Sequence, residues 1–362
     1  MLKFLFPFFQ LIIFIGFSFF LIQCNPKNLN KTTNNSALIL LGRNLFYETN
    51  LSFNGTKSCA SCHSPEFAFT DNYRRSITAT GERVMHNAPT LFNVFANHYF
   101  DLANPNITTL DSQHQRPLLG KHPVELGFNL NETKILQFLK KDKRYRQLFS
   151  NAFGNNLNAV NLISITKAIK EFVASIKTGN SPYEDWKLGK SNALNNEELE
   201  GMKLFFSDKF KCVQCHMEPY FTSATSKTIQ YVYFNTGLNN FGSIENQPEE
   251  HQGIYRYTNN PKDLGKFKAP TLINIAFTAP YFHDGSANNL HEVLDVYRNG
   301  GRSNNGNVIL GNGIKNPLKD HRIQYTGMTL EEEKKLIAFL YSLSDTISIK
   351  NAKYSKPILQ PN

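Results

Sequence analysis

Apolar residues recur at helical spacing in several stretches of the 362-residue chain. The clearest stretch covers residues 161–177, and shorter ones cover residues 40–47 and about residues 197–206. Another begins at Thr329, where Glu332 three residues later completes the pattern of a capping box. Alternating strand patterns are few. The sequence therefore predicts a mainly α protein with much irregular chain between its helices.

The order of these helices divides the chain into two halves with a similar plan. Each half opens with a short helix and closes with a longer one, and a Thr-Gly-Asn-Ser-Pro segment at residues 178–182 is typical of a linker. A chain of this length can bury two separate cores. We expect an N-terminal domain over residues 38–180, a C-terminal domain over residues 181–346, and a tail over residues 347–362.

The first residues have the pattern of an export signal. A lysine precedes an apolar run at residues 4–20, which is short for a membrane span. The Leu-Ile-Gln-Cys sequence that ends at Cys24 is similar to a lipobox, so we expect residues 1–24 to be a lipoprotein signal peptide with lipidation at Cys24. A plain signal peptide or an uncleaved anchor is the alternative. Residues 25–37, rich in Asn, Lys and Thr, are predicted to form a flexible tether.

The remaining cysteines carry the strongest chemical signal, because all four fall in two C-x-x-C-H motifs. The motif residues are Cys59, Cys62 and His63, and Cys212, Cys215 and His216. This motif attaches a c-type haem: the two thiols add to two vinyl groups of one porphyrin, and the histidine can coordinate the iron. One copy could also be a zinc or thiol-redox site. Two copies favour a protein with two covalent haems, whose maturation requires export.

The formal net charge of +10 adds little to this interpretation. Two haems bring about four propionate charges, which offset part of the excess. We expect the basic surface to be merely solvated. The alternative is that it forms a docking face for a redox partner. The sequence lacks the interleaved basic and aromatic residues of nucleic-acid-binding proteins, so we expect no nucleic-acid partner.

Five further stretches resemble the bacterial di-haem cytochrome c peroxidase and MauG family. They are Leu-Gly-Arg-Asn-Leu-Phe at 41–46, Asn-Ala-Pro-Thr-Leu at 87–91, Pro-Val-Glu-Leu-Gly at 123–127, Phe-Lys-Ala-Pro-Thr-Leu at 267–272 and Thr-Ala-Pro-Tyr-Phe-His-Asp-Gly at 278–285. Residues 103–127 are most similar to the MbnH-like branch of di-haem enzymes. The resemblance implies two cytochrome c-like domains, each with one covalently bound c-type haem, and places the haems near the domain interface.

The resemblance also assigns roles around the N-terminal haem, whose iron would be ligated by His63 and would react with peroxide. Glu125 matches the distal glutamate of the family, Gln113 its distal glutamine and Pro117 a pocket-lining proline. The chemistry agrees with these roles. A carboxylate can take a proton from one peroxide oxygen and return it to the leaving oxygen, and a neutral amide can orient the peroxide.

The C-terminal haem, ligated by His216, would be the electron reservoir. Its distal ligand in the family matches Tyr297 here, where typical peroxidases carry methionine and MauG carries tyrosine. A phenolate oxygen favours ferric iron and lowers the reduction potential, whereas a thioether does the opposite. The alternative is that Tyr297 is only a packed aromatic residue.

A calcium site between the domains is a further implication of the resemblance. Asn87, Thr278 and Pro280 match its ligands, supplying one side-chain amide and two carbonyl oxygens. Oxygen ligands of this kind suit Ca²⁺.

The chain departs from the family at the position that governs activation. Peroxidases that require prior reduction hold a histidine on the N-terminal haem where this chain has Ala79. We therefore expect an open, five-coordinate N-terminal haem that is ready without activation. His86 and His98 lie nearby and are expected to be structural, with ligation by either as the alternative.

A second departure concerns the tryptophan between the haems of the family. Its position falls at Leu102 or Ala103, and the single tryptophan, Trp186, lies in a stretch similar to the domain linker. Tyr99 or Phe100 could lie between the haems instead.

Three functions follow from these features. The first is an exported, periplasm-facing peroxidase that reduces hydrogen peroxide to water with electrons from a small cytochrome c or cupredoxin. The second is a MauG-like or MbnH-like oxidase that modifies tyrosine or tryptophan of a partner protein, which Tyr297 favours. The third, an electron-transfer cytochrome without catalysis, is disfavoured by Glu125 and Gln113. We expect membrane contact through the N-terminal lipid only, with a homodimer as a possibility.

Overall fold

The computed structural model describes residues 26–303 and 310–358. These residues are mainly helical, as predicted, with one two-stranded antiparallel sheet. The α-helices α1 to α11 are Pro26–Phe46, Leu110–Leu119, Glu132–Lys141, Lys143–Phe153, Leu162–Ala174, Pro182–Lys187, Asn196–Phe205, Tyr255–Thr258, Leu290–Arg298, Leu330–Ser342 and Thr346–Ile349. The strands β1 (Tyr233–Phe234) and β2 (Phe267–Lys268) pair Tyr233 with Lys268 and Phe234 with Phe267.

The helix starts predicted from the sequence agree with the capping contacts. The side chain of Asn161 accepts a hydrogen bond from the backbone N–H of Ser164 at the start of α5. At α10, Thr329 and Glu332 form the predicted capping box, in which each side chain accepts a hydrogen bond from the backbone N–H of the other. The short helix α11 follows α10.

Apolar side chains form two large cores, one in each half of the chain. The first involves residues 38–176, joined by Tyr354, and the second involves residues 183–343. Phenylalanine rings lie at the centre of both. Phe46 packs edge-to-face against Phe172 with ring centroids 5.2 Å apart. Rings in this geometry add to the stabilisation from burial.

Each of the two cores contains a close crossing of two helices at a glycine. Helix α1 crosses α5 at Gly42, where any Cβ would overlap the carbonyl oxygen of Ala168. Helix α7 crosses α10 at Gly201, where a Cβ would overlap the carbonyl oxygen of Lys335. Glycine therefore allows both helix pairs to approach closely. The same close helix crossing at a glycine thus occurs in both halves, in agreement with their predicted similar plan.

The N-terminal segment differs from the prediction. Helix α1 begins at Pro26, so residues 26–37, predicted to be a flexible tether, are helical. Proline is tolerated in the first turn of a helix, and extending a helix from an already packed segment costs little compared with starting one. The tether prediction is therefore wrong for these residues. The predicted signal peptide and Cys24 lie outside the described residues.

The chain beyond α10, predicted only as a tail, packs on the N-terminal half. Tyr354 is buried, and its hydroxyl accepts a hydrogen bond from the Lys177 N–H at 2.9 Å and donates one to the Ser175 carbonyl at 3.0 Å. Arg43 of α1 donates to the carbonyl of Ala352 at 2.7 Å. The C-terminal segment thus fastens the two halves together.

Within residues 26–303 and 310–358, no helix combines the length and apolar character needed to cross a bilayer.

Candidate functional site

The two C-x-x-C-H motifs adopt the same backbone conformation. In the first, the N–H groups of Cys62 and His63 both donate to the carbonyl of Cys59, at 3.2 and 3.0 Å. In the second, the N–H of His216 donates to the carbonyl of Cys212 at 2.9 Å. A single tight turn therefore places two thiols and an imidazole together in each half of the molecule.

Each motif opens onto its own cavity. The first cavity, of about 370 Å³, contains both thiols and the imidazole of the first motif in its wall. The second cavity, of about 240 Å³, is mainly apolar and contains the corresponding groups of the second motif. Both the thiols and the histidine of a motif thus face one space, which is the arrangement that covalent haem attachment needs.

The histidine of each motif is oriented through its Nδ1 atom. His63 Nδ1 lies 2.9 Å from the carbonyl oxygen of Phe69, and His216 Nδ1 lies 3.0 Å from that of Pro270. A proton on Nδ1 satisfies the carbonyl and leaves Nε2 free to ligate a metal. Burial lowers the pKa of both histidines, which keeps the imidazoles neutral as ligation requires. These residues therefore fit haem iron.

The predicted distal residues meet in the wall of the first cavity. Gln113 and Pro117 lie on α2, and Glu125 follows that helix in the chain. The N–H of Leu126 donates to the carbonyl of Pro117 at 2.9 Å, which holds the Glu125 segment against α2. Glu125, Gln113 and Pro117 thus line the same cavity as His63. The buried Oε1 atom of Gln113 accepts no hydrogen bond from the described residues.

Glu125 lies where its charge is difficult to solvate. Burial raises the pKa of its carboxyl, and the nearby guanidinium of Arg116 opposes that rise. Arg116 also forms a salt bridge with Asp101 and lines the first cavity. A raised pKa moves a carboxyl toward the neutral range in which an acid–base group works best.

Ala79 is buried, and its backbone is hydrogen-bonded. Its N–H donates to the carbonyl of Glu125 at 2.8 Å, and its neighbour Thr78 lines the first cavity. Three imidazoles also contribute to the wall of this cavity, those of His86, His114 and His122.

Two histidines singled out in the sequence form hydrogen bonds with other parts of the chain. The Nε2 atom of His86 lies 3.1 Å from the carbonyl oxygen of Glu250, and burial lowers the pKa of His86 to about 4. His98 is exposed, and its backbone N–H donates to the carbonyl of Ala224 at 2.8 Å across the domain interface. A structural role for His86 and His98 stays a prediction.

His114 was missed by the sequence analysis. It adjoins Gln113 on α2, lines the first cavity and has a buried Nδ1 atom without a hydrogen-bond partner in the described part of the chain. Burial lowers its pKa to about 4, so the imidazole is neutral at physiological pH. Its position directly after the distal glutamine was the one available sequence signal.

Tyr297, on α9, lines the second cavity together with Cys212, Cys215 and His216. Burial raises the pKa of its phenol well above the ordinary range, so the hydroxyl keeps its proton unless a cation binds it. The wall of the same cavity also contains Met328, which the sequence analysis did not consider. The second cavity therefore offers both a phenol and a thioether.

The two cavities share a wall, which is formed at the interface of the two halves. Leu102, Lys268 and Thr271 each line both cavities. Lys268 is buried, and burial lowers its pKa to about 7. Its ammonium donates to the carbonyl oxygen of Phe100 at 2.6 Å. A titratable lysine thus lies between the two candidate haem sites.

The aromatic residues considered for the inter-haem position are distributed around this wall. Leu102 lies in it, whereas Phe100 and Ala103 line the first cavity. Tyr99 packs edge-to-face against Tyr233 with ring centroids 5.9 Å apart. Trp186 stacks on Tyr183 in the second core.

The three residues matched to a calcium site lie around one space. Asn87, Thr278 and Pro280 all line the second cavity. The Nδ2 atom of Asn87 donates to the carbonyl of Tyr73 at 2.9 Å, which leaves the amide oxygen as the atom available to a cation. An amide oxygen with backbone carbonyls suits Ca²⁺.

The fold and the paired cavities define a protein with two candidate haem sites, and comparisons with known proteins agree. Residues 36–192 match the family model of di-haem cytochrome c peroxidase. The cytochrome c551 peroxidase of Nitrosomonas europaea is 32% identical over 73% of this chain and 74% of its own. The methylamine utilization protein MauG of Methylorubrum extorquens is 26% identical over 84% of this chain and 77% of its own. The chain therefore belongs to the di-haem cytochrome c peroxidase family.

A solved structure supports the same conclusion. A MauG-like protein associated with microbial copper homeostasis superposes with a TM-score of 0.84 and 35% identity, covering 89% of this chain and 93% of that one. The protein is thus an enzyme of the di-haem peroxidase class, built from two cytochrome c-like domains, and its family implies two haem groups.

Proposed function

We propose that this protein is an exported di-haem c-type oxidoreductase that reduces hydrogen peroxide to water with electrons from a small cytochrome c or cupredoxin. The observation that carries the proposal is the position of Glu125 and Gln113 in the wall that also holds His63 and the thiols of the first motif. The two haems would be covalently attached at Cys59 and Cys62, and at Cys212 and Cys215.

Haem bound at the first motif would supply the iron at which the O–O bond of peroxide breaks and the electrons arrive. Glu125 would take the proton from the oxygen nearer the iron and deliver it to the far oxygen, which leaves as water. Burial raises the pKa of Glu125, which makes its carboxylate a stronger base toward the peroxide proton. The overall reaction would consume two electrons and two protons for each peroxide molecule and yield two molecules of water.

Gln113 would orient the peroxide through its side-chain amide, a neutral group that does not compete with Glu125 for the proton. Arg116 limits the rise in the pKa of Glu125 and so keeps the carboxylate form accessible. Pro117, on the same helix, would shape the pocket and exclude water. These three residues prepare the site, and Glu125 acts on the reacting atoms.

The second cavity would hold the haem that stores electrons, ligated by His216 and Tyr297. The shared wall at Leu102 and Thr271 favours electron transfer between the two sites, because the same residues line both cavities. Ca²⁺ bound by Asn87, Thr278 and Pro280 would fix the interface beside this haem.

Export and attachment complete the proposal. Residues 1–24 would direct export to the periplasm-facing side of a membrane, and a lipid on Cys24 would provide the membrane contact. The domain boundary would fall near residue 180, and the protein could function as a homodimer.

The test is the steady-state rate of peroxide reduction by the holoprotein with reduced cytochrome c. Glu125→Gln keeps the shape of the side chain and removes its acid–base function, so kcat/KM for peroxide should fall by about 10² to 10⁴-fold. Glu132→Gln, an exposed carboxylate at the start of α3, is the matched control and should keep the wild-type rate. A Glu125→Gln variant as active as the control would overturn the assigned role.

A second candidate function is peroxide-dependent modification of tyrosine or tryptophan in a partner protein. Two observations favour it: Tyr297 lines the second cavity, and the MauG-like structure shares 35% identity with this chain. The distinguishing experiment adds peroxide to the holoprotein and a small secreted candidate partner, without an electron donor. Mass spectrometry that finds oxidised tyrosine or tryptophan in that protein favours modification, and peroxide turnover that requires cytochrome c favours the peroxidase.

A further inference from the structure

A group of metal-binding side chains lies beside the second cavity and is used by neither proposed function. The Nδ1 atom of His251 is 2.9 Å from the Nε2 atom of His283. With a carboxylate oxygen of Asp284, these ligand atoms all lie within 4.8 Å of one another. His251 and Asp284 are buried, and His283 is half-buried. Two imidazoles with a carboxylate form a common ligand set for first-row divalent metals.

The hydrogen bonds within this group do not satisfy all of its atoms. Two nitrogens approach His251 Nδ1, the Nε2 of His283 at 2.9 Å and the amide Nδ2 of Asn239 at 3.0 Å. The Nδ1 atom of His251 carries either one lone pair or one proton, so it can form a good hydrogen bond with only one of these two nitrogens. The Oδ1 atom of Asn239, a residue 8% exposed, is buried and unpartnered among residues 26–303 and 310–358. A buried amide oxygen in this state costs free energy.

A cation resolves this mismatch. The lone pairs of His251 Nδ1 and His283 Nε2 can both point at a metal ion, and a rotation of the Asn239 amide exchanges its nitrogen for the unpartnered oxygen. Asp284 completes the set with negative charge. Metal binding would thus replace the shared contact at His251 Nδ1 by four metal–ligand bonds.

The ligands are held in place by their surroundings, which lowers the cost of ordering a site. The ring of Phe267 stacks on His283 with centroids 3.7 Å apart and an interplanar angle of 7°. The carbonyl of His251 accepts a hydrogen bond from Gln247 at 2.6 Å. One carboxylate oxygen of Asp284 accepts a hydrogen bond from the Ser286 N–H at 3.1 Å.

The imidazoles are already in the protonation state that a metal requires. Burial lowers the pKa of His283 well below its ordinary value, and burial also lowers the pKa of His251. Arg302 adds to both effects, while Asp284 opposes the shift at His251. Neutral imidazole ligates without first losing a proton.

We propose that His251, His283, Asp284 and Asn239 bind one first-row divalent metal ion, for which Zn²⁺ is the probe. This site is separate from the all-oxygen set of Asn87, Thr278 and Pro280, although the Asn87 N–H donates to the His283 carbonyl at 2.8 Å. Imidazole nitrogen selects zinc-like metals over Ca²⁺. The proposal does not depend on the proposed peroxidase activity.

The test uses the full holoprotein, stripped of loosely bound metal with a chelator and then equilibrated with Zn²⁺ in excess Ca²⁺. After gel filtration, elemental analysis should find one equivalent of zinc per chain beside the haem iron. His251→Leu and Asp284→Asn should each weaken Zn²⁺ binding at least 10-fold. The control His321→Leu, whose imidazole is 83% exposed, should bind as the wild type does.

A gain-of-function variant distinguishes a metal site from a merely structural cluster. Asn239→Asp adds a carboxylate and should tighten Zn²⁺ binding by about 10-fold, whereas a hydrogen-bonding role predicts no gain. Haem content and the haem spectrum report whether each variant has folded. Wild-type protein that retains no zinc, or zinc binding unaltered by His251→Leu, Asp284→Asn and Asn239→Asp, would overturn the proposal.

Discussion

The backbone N–H of Ala79 donates a hydrogen bond to the backbone carbonyl of Glu125, with nitrogen and oxygen 2.8 Å apart. The resemblance to the peroxidases places a ligating histidine at Ala79 in enzymes that require prior reduction. An alanine side chain cannot ligate iron. The position that governs activation in those enzymes is therefore hydrogen-bonded, in this protein, to the segment that carries the proposed acid–base carboxylate.

Arg116 should set the pH dependence of the reaction with peroxide. Its guanidinium lowers the pKa of Glu125 against the rise caused by burial. Arg116→Gln removes the charge, so the pKa of Glu125 rises further and the carboxylate form needs a higher pH. The acidic limb of the pH–rate profile should shift upward by about one pH unit or less.

The control for this experiment is Arg116→Lys, which keeps a positive charge and should leave the limb within a few tenths of a pH unit of the wild type. Stopped-flow mixing of the oxidised protein with peroxide between pH 4 and pH 8 measures both profiles. A limb that stays in place for Arg116→Gln, or moves to lower pH, would contradict the coupling of Arg116 to Glu125.

His114 provides a test of the predicted five-coordinate N-terminal haem. If the iron is open, His114→Ala leaves the high-spin ferric signal in the electron paramagnetic resonance spectrum unchanged. Conversion of a low-spin signal to a high-spin signal in this variant would identify His114 as a ligand and disprove the open site. His321→Ala, at an exposed position, controls for non-specific effects.

Lys268 should make stability depend on pH in a defined direction. Burial lowers its pKa to about 7, against about 10.4 in an unfolded chain. Between these values the unfolded chain binds the extra proton, so the free energy of unfolding rises with pH, by up to about 1.4 kcal/mol per pH unit from this group. Lys268→Met removes that contribution and should flatten the profile.

Denaturant titrations at several pH values between about 7.5 and 9.5 measure how steeply the free energy of unfolding changes with pH in the wild type and in Lys268→Met. Lys134→Met, at an exposed position of α3, should retain the wild-type slope. Equal slopes for all three proteins would show that Lys268 keeps its ordinary pKa.

The reduction potential of the C-terminal haem can show whether Tyr297 or Met328 ligates its iron. A phenolate ligand favours the ferric state, so Tyr297→Phe should raise this potential by on the order of 100 mV. Met328→Leu should leave it nearly unchanged, because the methionine then only packs against the cavity. The opposite result, a potential that falls on Met328→Leu and is unaltered by Tyr297→Phe, would make Met328 the ligand.

The parts of the site that could be predicted from the sequence are those fixed by local spacing or by the resemblance. Cys59, Cys62 and His63 must be close in sequence to reach one porphyrin, and the structure places them in one wall. Glu125 and Gln113 are separated along the chain and were assigned through the resemblance. Their meeting in the first cavity follows from the hydrogen bond between Leu126 and Pro117.

Other features depend on tertiary packing, to which local pattern is insensitive. His251 and His283 come from separate segments of the chain, and only the fold brings their nitrogens within 2.9 Å. Met328 precedes α10 and reads as a core residue, yet it also reaches the second cavity. Tyr354 lies in a short polar segment that gives no periodic signal, and it is buried because the chain returns to the first core.

The most direct test of the central claim is the addition of one equivalent of hydrogen peroxide to the fully oxidised, unreduced holoprotein while the haem spectrum is followed. An open N-terminal haem with Glu125 beside it predicts a rapid spectral change without any prior reduction. A change that appears only after partial reduction would contradict the account, because it would mean that a ligand must first leave the iron of the N-terminal haem.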